Sequence, residues 1–283
     1  MANTITLAEK FVPVIDGIYK KASLTSVLDA TTQPDFSGVN TVKVMKVTTT
    51  GLGDYSKENG YAAGNATLEW ESLKLEEDRS AQLTVDRMDN EETLGQAFGM
   101  IMNEFIRVNV APETDAYRFA KYASASGIGK ASGSLADGEA VVKALRAAIT
   151  AMDEAEVPAE DRYLFITPTL FGLVQDLDTT KSKEVLKKFA GIIEVPQSRF
   201  YTGITLNSGT DAWGFAKATT AKDINFLAVA KSAVTQATKM ALPKVFDPDT
   251  NQSKDAWLFQ YRLYHDAFTY ENKASGIYVH TKA

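Results

Sequence analysis

His265 and His280 are the chain's two imidazoles, and there is no cysteine. Asp266 beside His265 invites a triad, in which a carboxylate orients the ring. Neighbours on a strand point to opposite faces, however, so the pair cannot form that hydrogen bond without a bulge. No Gly-x-Ser-x-Gly elbow and no His-Glu-x-x-His helix occurs. Both histidines are therefore expected to be structural. The lack of cysteine also removes disulfides, thiolate nucleophiles and thiolate metal sites. Gly127-Ile128-Gly129-Lys130 imitates a phosphate loop, but Ser124 stands where the first glycine is needed and Ala131 where a hydroxyl would hold magnesium. Asp247-Pro248-Asp249-Thr250-Asn251 opens like a calcium loop. Gln252 takes the place of its glycine and Leu258 that of its closing glutamate, so a turn between strands is expected. Glu76, Glu77 and Asp78, followed by Arg79, read as a solvated face. Asn65-Ala66-Thr67 and Asn251-Gln252-Ser253 match the glycosylation sequon without a secretory signal before them. No catalytic, cofactor-binding or metal-binding residue is expected.

The elements say more than the chemistry. Thr41 to Thr50 is a β-branched, strand-like run, Gly51 to Asn65 is rich in Gly and Asn, and Ala66 to Asp86 returns as strand. In the return arm the apolar phase slips from Leu68 and Trp70 to Leu73 and Leu75, which predicts a bulge near Glu71 or Ser72. Such a hairpin spans roughly 33 Å per arm, and a lone two-stranded ribbon is marginal in water. Something outside the hairpin must stabilise it, and another copy of the chain is the natural candidate. From Asp89 a helical stripe runs through Leu94, Phe98, Ile101, Phe105 and Val108, with Ala97 and Met102 widening it. Asp89 and Glu92 form a capping box, and Pro112 predicts a kink or two helices end to end. The stripe lasts barely two heptads before the proline, which sets a coiled coil aside.

Around these lie a short amphipathic turn near the start, through Phe11, Val14, Ile15 and Ile18, and a Gly, Ser and Ala linker from Ser124 to Gly138. Asp137 caps a helix to Met152 with Val141, Leu145, Ala148 and Ile149 inward. Tyr163 to Ile166 is a strand, Thr167 and Pro168 start a helix, and Ile192 to Val195, Gly203 to Leu206 and Ile224 to Val229 are strands. A closing β section runs from Ala241 to His280. With 283 residues and 45% hydrophobic content the chain can bury a real core. A formal charge of −6 argues against a dedicated nucleic-acid reader. No run approaches the roughly 18 apolar residues of a membrane span. The start MANTITLAEKF lacks a signal peptide's regions, so a cytoplasm-like compartment is expected.

Arm, long hairpin, long helix, linker, mixed α and β region and closing β section, in that order, resemble the major capsid proteins of tailed bacteriophages. Leu83 to Thr93, LTVDRMDNEET, looks like that family's junction of extended loop and spine helix. Ile224 to Lys239, INFLAVAKSAVTQATK, looks like the strand and helix returning from its axial domain, and Phe246 to His280 like its closing peripheral strands.

The resemblance implies an α+β fold, the tailed-phage major-capsid fold. Its parts would be an N-terminal arm (1–40), an extended β-hairpin loop (41–88), a spine helix of the peripheral domain (89–126), a mixed α/β axial domain (127–235) and a closing β section of the peripheral domain (236–283). It implies a structural subunit that self-assembles into hexamers and pentamers of an icosahedral capsid enclosing double-stranded DNA. The partners implied are further copies of the chain, portal and scaffolding proteins, and packaged double-stranded DNA in non-specific contact, with no membrane and no cofactor. The location implied is the virion, after assembly in the host cytoplasm. Assembly contacts would fall on Lys57, Glu58, Asn59, Gly60, Tyr61 and Trp70. Some relatives join an extended-loop lysine to a neighbour's asparagine, which here would be Lys57 with Asn251 or Asn272. Many relatives carry a large amino-terminal scaffolding segment, whereas this arm begins almost at Met1, which implies separate scaffolding or little need of it. The hairpin base, Pro112 and the Ser124 to Gly138 linker are the expected bending points. An encapsulin-like nanocompartment shell is the nearest alternative; an enzyme on the mixed region and a tail-tube or adhesion protein are others.

Overall fold

The computed structural model describes residues 23–29, 36–37, 41–58, 60–92, 97–177 and 179–283. The amphipathic turn through Phe11, Val14, Ile15 and Ile18 and the loop residue Asn59 lie outside them. β1 (Phe36–Ser37) pairs with β2 (Thr41–Thr49), which pairs antiparallel with β3 (Ala66–Lys74) in unbroken register from Thr41 opposite Lys74 to Thr49 opposite Ala66. The bulge expected near Glu71 or Ser72 is thus not there. The apolar phase slips because the ribbon has an apolar patch on each face: Val42, Val44 and Leu73 near the base on one, Met45, Val47, Leu68 and Trp70 farther out on the other. After Leu75 the chain leaves the ribbon. β4 (Glu77–Asp86) pairs with a strand from near the other end of the sequence, so the return arm belongs to two sheets.

Asp86 Oδ1 accepts from the Met88 amide at 2.9 Å where α1 (Arg87–Glu92) begins. The cap is therefore Asp86, and Asp89 falls in the first turn. α2 (Ala97–Phe105) passes through a π-helical turn, Ile106–Val110, into α3 (Ala111–Ser124). Pro112 sits in the first turn of α3, and the widened turn before it takes up the hydrogen bond and the space that its ring denies. That under-winding also moves the buried face. Met102, Ile106 and Val110, spaced by four, are buried, whereas Ile101 and Val108 of the expected stripe are 42% and 48% exposed. Phe105 is half-buried, and the Leu94, Ala97 and Phe98 side chains lie outside the described residues.

The Gly, Ser and Ala stretch after α3 is more than a linker, since β5 (Gly129–Ser132) inside it joins a sheet. α4 (Gly138–Glu154) is capped as expected, Asp137 Oδ1 accepting from Ala140 N at 2.8 Å, with Val141, Leu145, Ala148, Ile149 and Met152 buried. There follow β6 (Arg162–Ile166), α5 (Pro168–Leu177), α6 (Thr180–Leu186), β7 (Gly191–Glu194), and β8 (Ile204–Leu206) paired with β9 (Phe215–Lys217). Next come β10 (Ile224–Ala230), β11 (Val234–Phe246), β12 (Ala256–Thr269) and β13 (Ile277–Thr281). Between β10 and β11 stands a single 3-10 turn, Lys231–Ala233, where a helix through Lys239 was expected. Val234 and Thr235 are β-branched and take the strand instead.

Two sheets organise the body. One, ordered β11-β12-β4, packs Phe259, Tyr261, Leu263 and Val85 against Met102, Ile106 and Val110 of the long helix. The other, ordered β5-β13-β10-β6-β7, carries the main core, with all of β10 buried and α4 packed on it. β13 lies inside this second sheet, between β5 and β10, so the last strand does not stay with β12 as the closing section was expected to do. Mixed helices and antiparallel-rich sheets make the fold α+β. Among the described residues no helix is long and apolar enough to cross a membrane.

Candidate assembly surface

The residues that chemistry might have used are committed elsewhere. His265 lies on β12 and His280 on β13, in different sheets. Asp266 turns away from His265: its carboxylate accepts from Tyr117 Oη at 2.9 Å, Glu76 N at 3.0 Å and Ala267 N at 2.7 Å. His265 is buried edge-on against Tyr117 at 5.4 Å, and its Nδ1 has no hydrogen-bond partner among the described residues. Burial, aided by Arg118 and Arg79, lowers its pKa to about 3, so it is neutral. His280 stacks on Phe226 at 5.1 Å, shares a 3.0 Å contact with Asn225 Nδ2, and is lowered by burial.

The acidic run is exposed at Glu76 and Asp78, as expected of a solvated face, and half-buried at Glu77. Asp78 takes two bonds from Arg262, at 2.9 and 2.6 Å, which hold its carboxyl below the usual range. Glu77 is raised by burial and by Asp266, and Arg79 turns inward to Glu113 at 2.7 Å. At Asp247 the expected turn forms, closed by Thr250 N at 2.9 Å.

What remains is the ribbon. Its inner face is seated: Val42 and Leu75 are buried against Ala237, with Val44, Leu73, Tyr264 and Phe268 around them. Tyr264 Oη donates to Leu75 O at 3.0 Å, and Lys46 Nζ reaches Glu271 Oε2 at 3.2 Å. Asp266, through Glu76 N, fixes the point where β3 gives way to β4. Among the described residues the outer face has no such cover. Met45 lies directly opposite Trp70 and Val47 opposite Leu68, and all four are 50 to 57% exposed. Cross-strand pairing gathers them into one apolar patch.

At the tip the loop folds on itself. Ser56 and Gly60 exchange backbone bonds of 3.0 and 2.7 Å, Gly60 taking φ 77°, and Tyr55 meets Tyr61 edge to face at 5.2 Å. Gly53 is required here, because a Cβ on it would lie 2.6 Å from that of Ala62. Lys57, Glu58 and Tyr61 are exposed, and Leu52 is fully so. Sequence reading marked Trp70 and the tip but missed Met45, Val47 and Leu68, whose alternation in a paired register was the available signal.

Neither a family model nor a curated protein matches the sequence. Solved structures do. The capsid of the cyanophage P-SCSP1u aligns with TM-score 0.63 at 16% identity, over 90% of this chain and 86% of that one. The capsid of the Myoviridae phage XM1 gives 0.59 at 9%, over 92% of each. A virus-like particle from Pyrococcus furiosus gives 0.57 at 13%, over 93% of this chain and 98% of that one. At these identities the likeness is one of fold.

Proposed function

We propose, from a chain that has the fold of the phage capsid shell proteins, that it is a structural subunit which self-assembles into hexamers and pentamers of an icosahedral capsid around double-stranded DNA. The bare outer face of the ribbon carries this reading. An exposed apolar patch on a projecting two-stranded ribbon is finished only by another surface, and in a closed symmetric assembly every copy supplies that surface to the next. In this reading residues 41–88 are the extended loop, whose Lys57, Glu58, Asn59, Gly60 and Tyr61 reach over a neighbour while Trp70 seats against it. Residues 1–40 are the arm, 89–126 the spine, and 127–235 the axial domain, to whose sheet β13 returns out of the closing section (236–283). Portal and scaffolding proteins and packaged DNA are its further partners, and the virion, assembled in the host cytoplasm, is its place. No catalytic role is assigned.

A bond from Lys57 to a neighbour's asparagine is part of the same proposal. Asn251 spends its side chain on Ala256 O at 2.8 Å and on Ser253, whereas Asn272 is exposed, which favours Asn272. A denaturing gel of assembled particles showing monomer alone removes the crosslink.

The likeness to the Pyrococcus furiosus particle supports a second reading, a nanocompartment shell. Negative-stain microscopy of purified particles with a nuclease challenge separates the two. Closed polyhedra that protect double-stranded DNA are the expected result. Polyhedra filled with protein favour the compartment, and tubes, or a monomer under every condition, overturn both.

A further inference from the structure

Four strands of the five-stranded sheet run the same way. β5 is parallel to β13 and β6 to β7, while β13 and β6 are both antiparallel to β10. Their carboxyl ends therefore emerge together at one end of the sheet, where the chain leaves an open crevice of about 460 Å³. Ser134 comes to its lining from beyond β5, Lys282 from β13, Thr167 from β6 and Gln197 from beyond β7, with Asn225 of β10 among them. Where parallel strands end side by side, such a crevice is the place at which ligands settle. β6, α5, α6 and β7 also make one parallel crossover, so the helix that follows β6 begins at the crevice itself.

α5 starts there with its donors unspent. Thr167 O accepts from Phe171 N at 3.0 Å, which puts Thr167 at the cap. Asp137 and Thr179, in the same position on α4 and α6, turn their side-chain oxygens onto the helix, at 2.8 Å to Ala140 N and 3.2 Å to Ser182 N. Thr167 does not. It is only 6% exposed and lines the crevice, and among the described residues its hydroxyl has no hydrogen-bond partner. Pro168 brings no N–H, and the amides of Thr169 and Leu170, both at the crevice, have no acceptor within the helix. A buried hydroxyl and two first-turn amides left open on one hollow call for an acceptor inside it.

The acceptor that fits is an anion. The first turn of α5 is the positive end of its dipole, and Lys282 is the one charged side chain in the crevice's lining among the described residues. Lys282 Nζ reaches Asp223 Oδ2 at 3.2 Å, but Asp223 also holds Lys217 at 2.6 Å, so one carboxylate is shared between two cations. The carboxyl group of Ala283 borders the crevice too and competes for the same donors, which keeps the affinity modest. These donors come from two sides, the start of α5 and the end of β13. A planar carboxylate offers two oxygens on one edge, whereas a tetrahedral oxyanion offers oxygens to both sides at once. We propose that this crevice binds a phosphate group, its oxygens taking the Thr169 and Leu170 amides and the Thr167 hydroxyl, with Lys282 beside them. Free phosphate and the backbone of a nucleic acid both carry that group.

The test is calorimetric titration of the full-length chain with inorganic phosphate, against chloride at matched ionic strength, with a thermal melt in parallel. Saturable binding and a raised melting temperature are expected. Thr167→Val keeps the shape and removes the hydroxyl, and Lys282→Gln removes a charge at an exposed position. Each should weaken phosphate about fivefold or more, while Lys222→Gln, outside the crevice, should bind as wild type does. A mixed-sequence duplex oligonucleotide is the second arm. Phosphate that the duplex does not displace assigns the site to free phosphate; displacement, or a site that only the duplex fills and that the same two substitutions weaken, assigns it to the nucleic-acid backbone. No saturable binding in either arm, binding that follows ionic strength alone, or binding that Lys282→Gln or a folded Thr167→Val leaves unchanged overturns the proposal. Circular dichroism checks the fold, and if Thr167→Val does not fold, Lys282→Gln set against Lys222→Gln decides. Assembly plays no part in the readout, so the outcome is independent of whether the chain builds a shell.

Discussion

Asp115, wholly buried on α3, accepts from Ser23 Oγ at 2.8 Å, Leu24 N at 2.9 Å, Thr25 N at 3.2 Å and Thr25 Oγ1 at 2.8 Å, and pairs with Arg199 at 3.2 Å. One carboxylate thus ties residues 23–25 to the long helix. Asp115→Ala strands several buried donors and a cation at once, so it should cost about 3–5 kcal/mol. Urea denaturation checks the loss, and Asp115→Asn, which keeps an acceptor, should lose less. His265 gives a pH prediction. With its pKa lowered from 6.5 to about 3, the unfolded chain takes up the proton first, so stability is complete above pH 6.5 and falls as pH drops towards 3. The slope should be on the order of 1 kcal/mol per pH unit, and His265→Asn should flatten it whatever that variant costs at neutral pH. Equilibrium unfolding at pH 7.5, 5.5 and 4.5 reads both. Glu156, just past the end of α4, holds φ 55°. Glu156→Gly should therefore raise stability by about 0.5–1 kcal/mol, because glycine adopts the positive φ freely. A thermal melt of the monomer checks it, and a destabilised variant would mean that the Glu156 side chain supports the fold.

At the scale of elements, what a short window contains was legible. The Asp137 cap, the buried stripe of α4 and the Asp247 turn depend on a few adjacent residues and stand where expected. The break between β3 and β4 was not legible, because what draws β4 away is its pairing with β12, Asp86 opposite Ala256, at a distance in sequence that no local pattern encodes. The long helix was legible as a helix but not in phase: three-and-four spacing presumes regular winding, and the π turn removes it. Trp70 and Leu68 were visible as apolar residues, yet only the register shows that they share a face with Met45 and Val47. That face gives the element's prediction. Trp70 is 56% exposed, so Trp70→Ala should leave monomer stability within about 0.5 kcal/mol. Assembly, where an aromatic anchor counts in every copy, should fall tenfold or more. Parallel urea titration and sedimentation read the two, and equal assembly would place the ribbon's partner elsewhere. Deleting Gly53 to Gly64 should behave alike, since Thr50 N to Asn65 O at 3.0 Å remains to close a shorter hairpin.

For the molecule as a whole, the two sheets meet at a joint that leaves little room to bend. The chain crosses between them through the turn 231–233, the turn 271–276 and the segment after α3. Tyr270 N bonds to Ala233 O at 3.0 Å and Lys231 N to Asp161 O at 2.9 Å, which holds both turns in place. Gly276 packs so closely that a Cβ on it would lie 2.7 Å from that of Ala233 and 3.3 Å from that of Ala230, neither of which can rotate away. The stretch after α3, expected to bend, carries β5 in parallel register with β13, and a Cβ on Gly129 would strike the Tyr278 ring at 2.4 Å. A body joined this tightly resists bending, so in the proposed shell, among the described residues, the ribbon beyond its seated base is the part left to take up any difference between five-fold and six-fold surroundings. Gly276→Ala should therefore act on the body: overpacking there should cost about 1–3 kcal/mol in urea denaturation. Because the wedge opens the angle between the sheets, particles from this variant should be fewer and uneven in diameter under negative stain. A variant that loses that stability yet builds uniform particles of wild-type diameter would show that the joint does not set curvature.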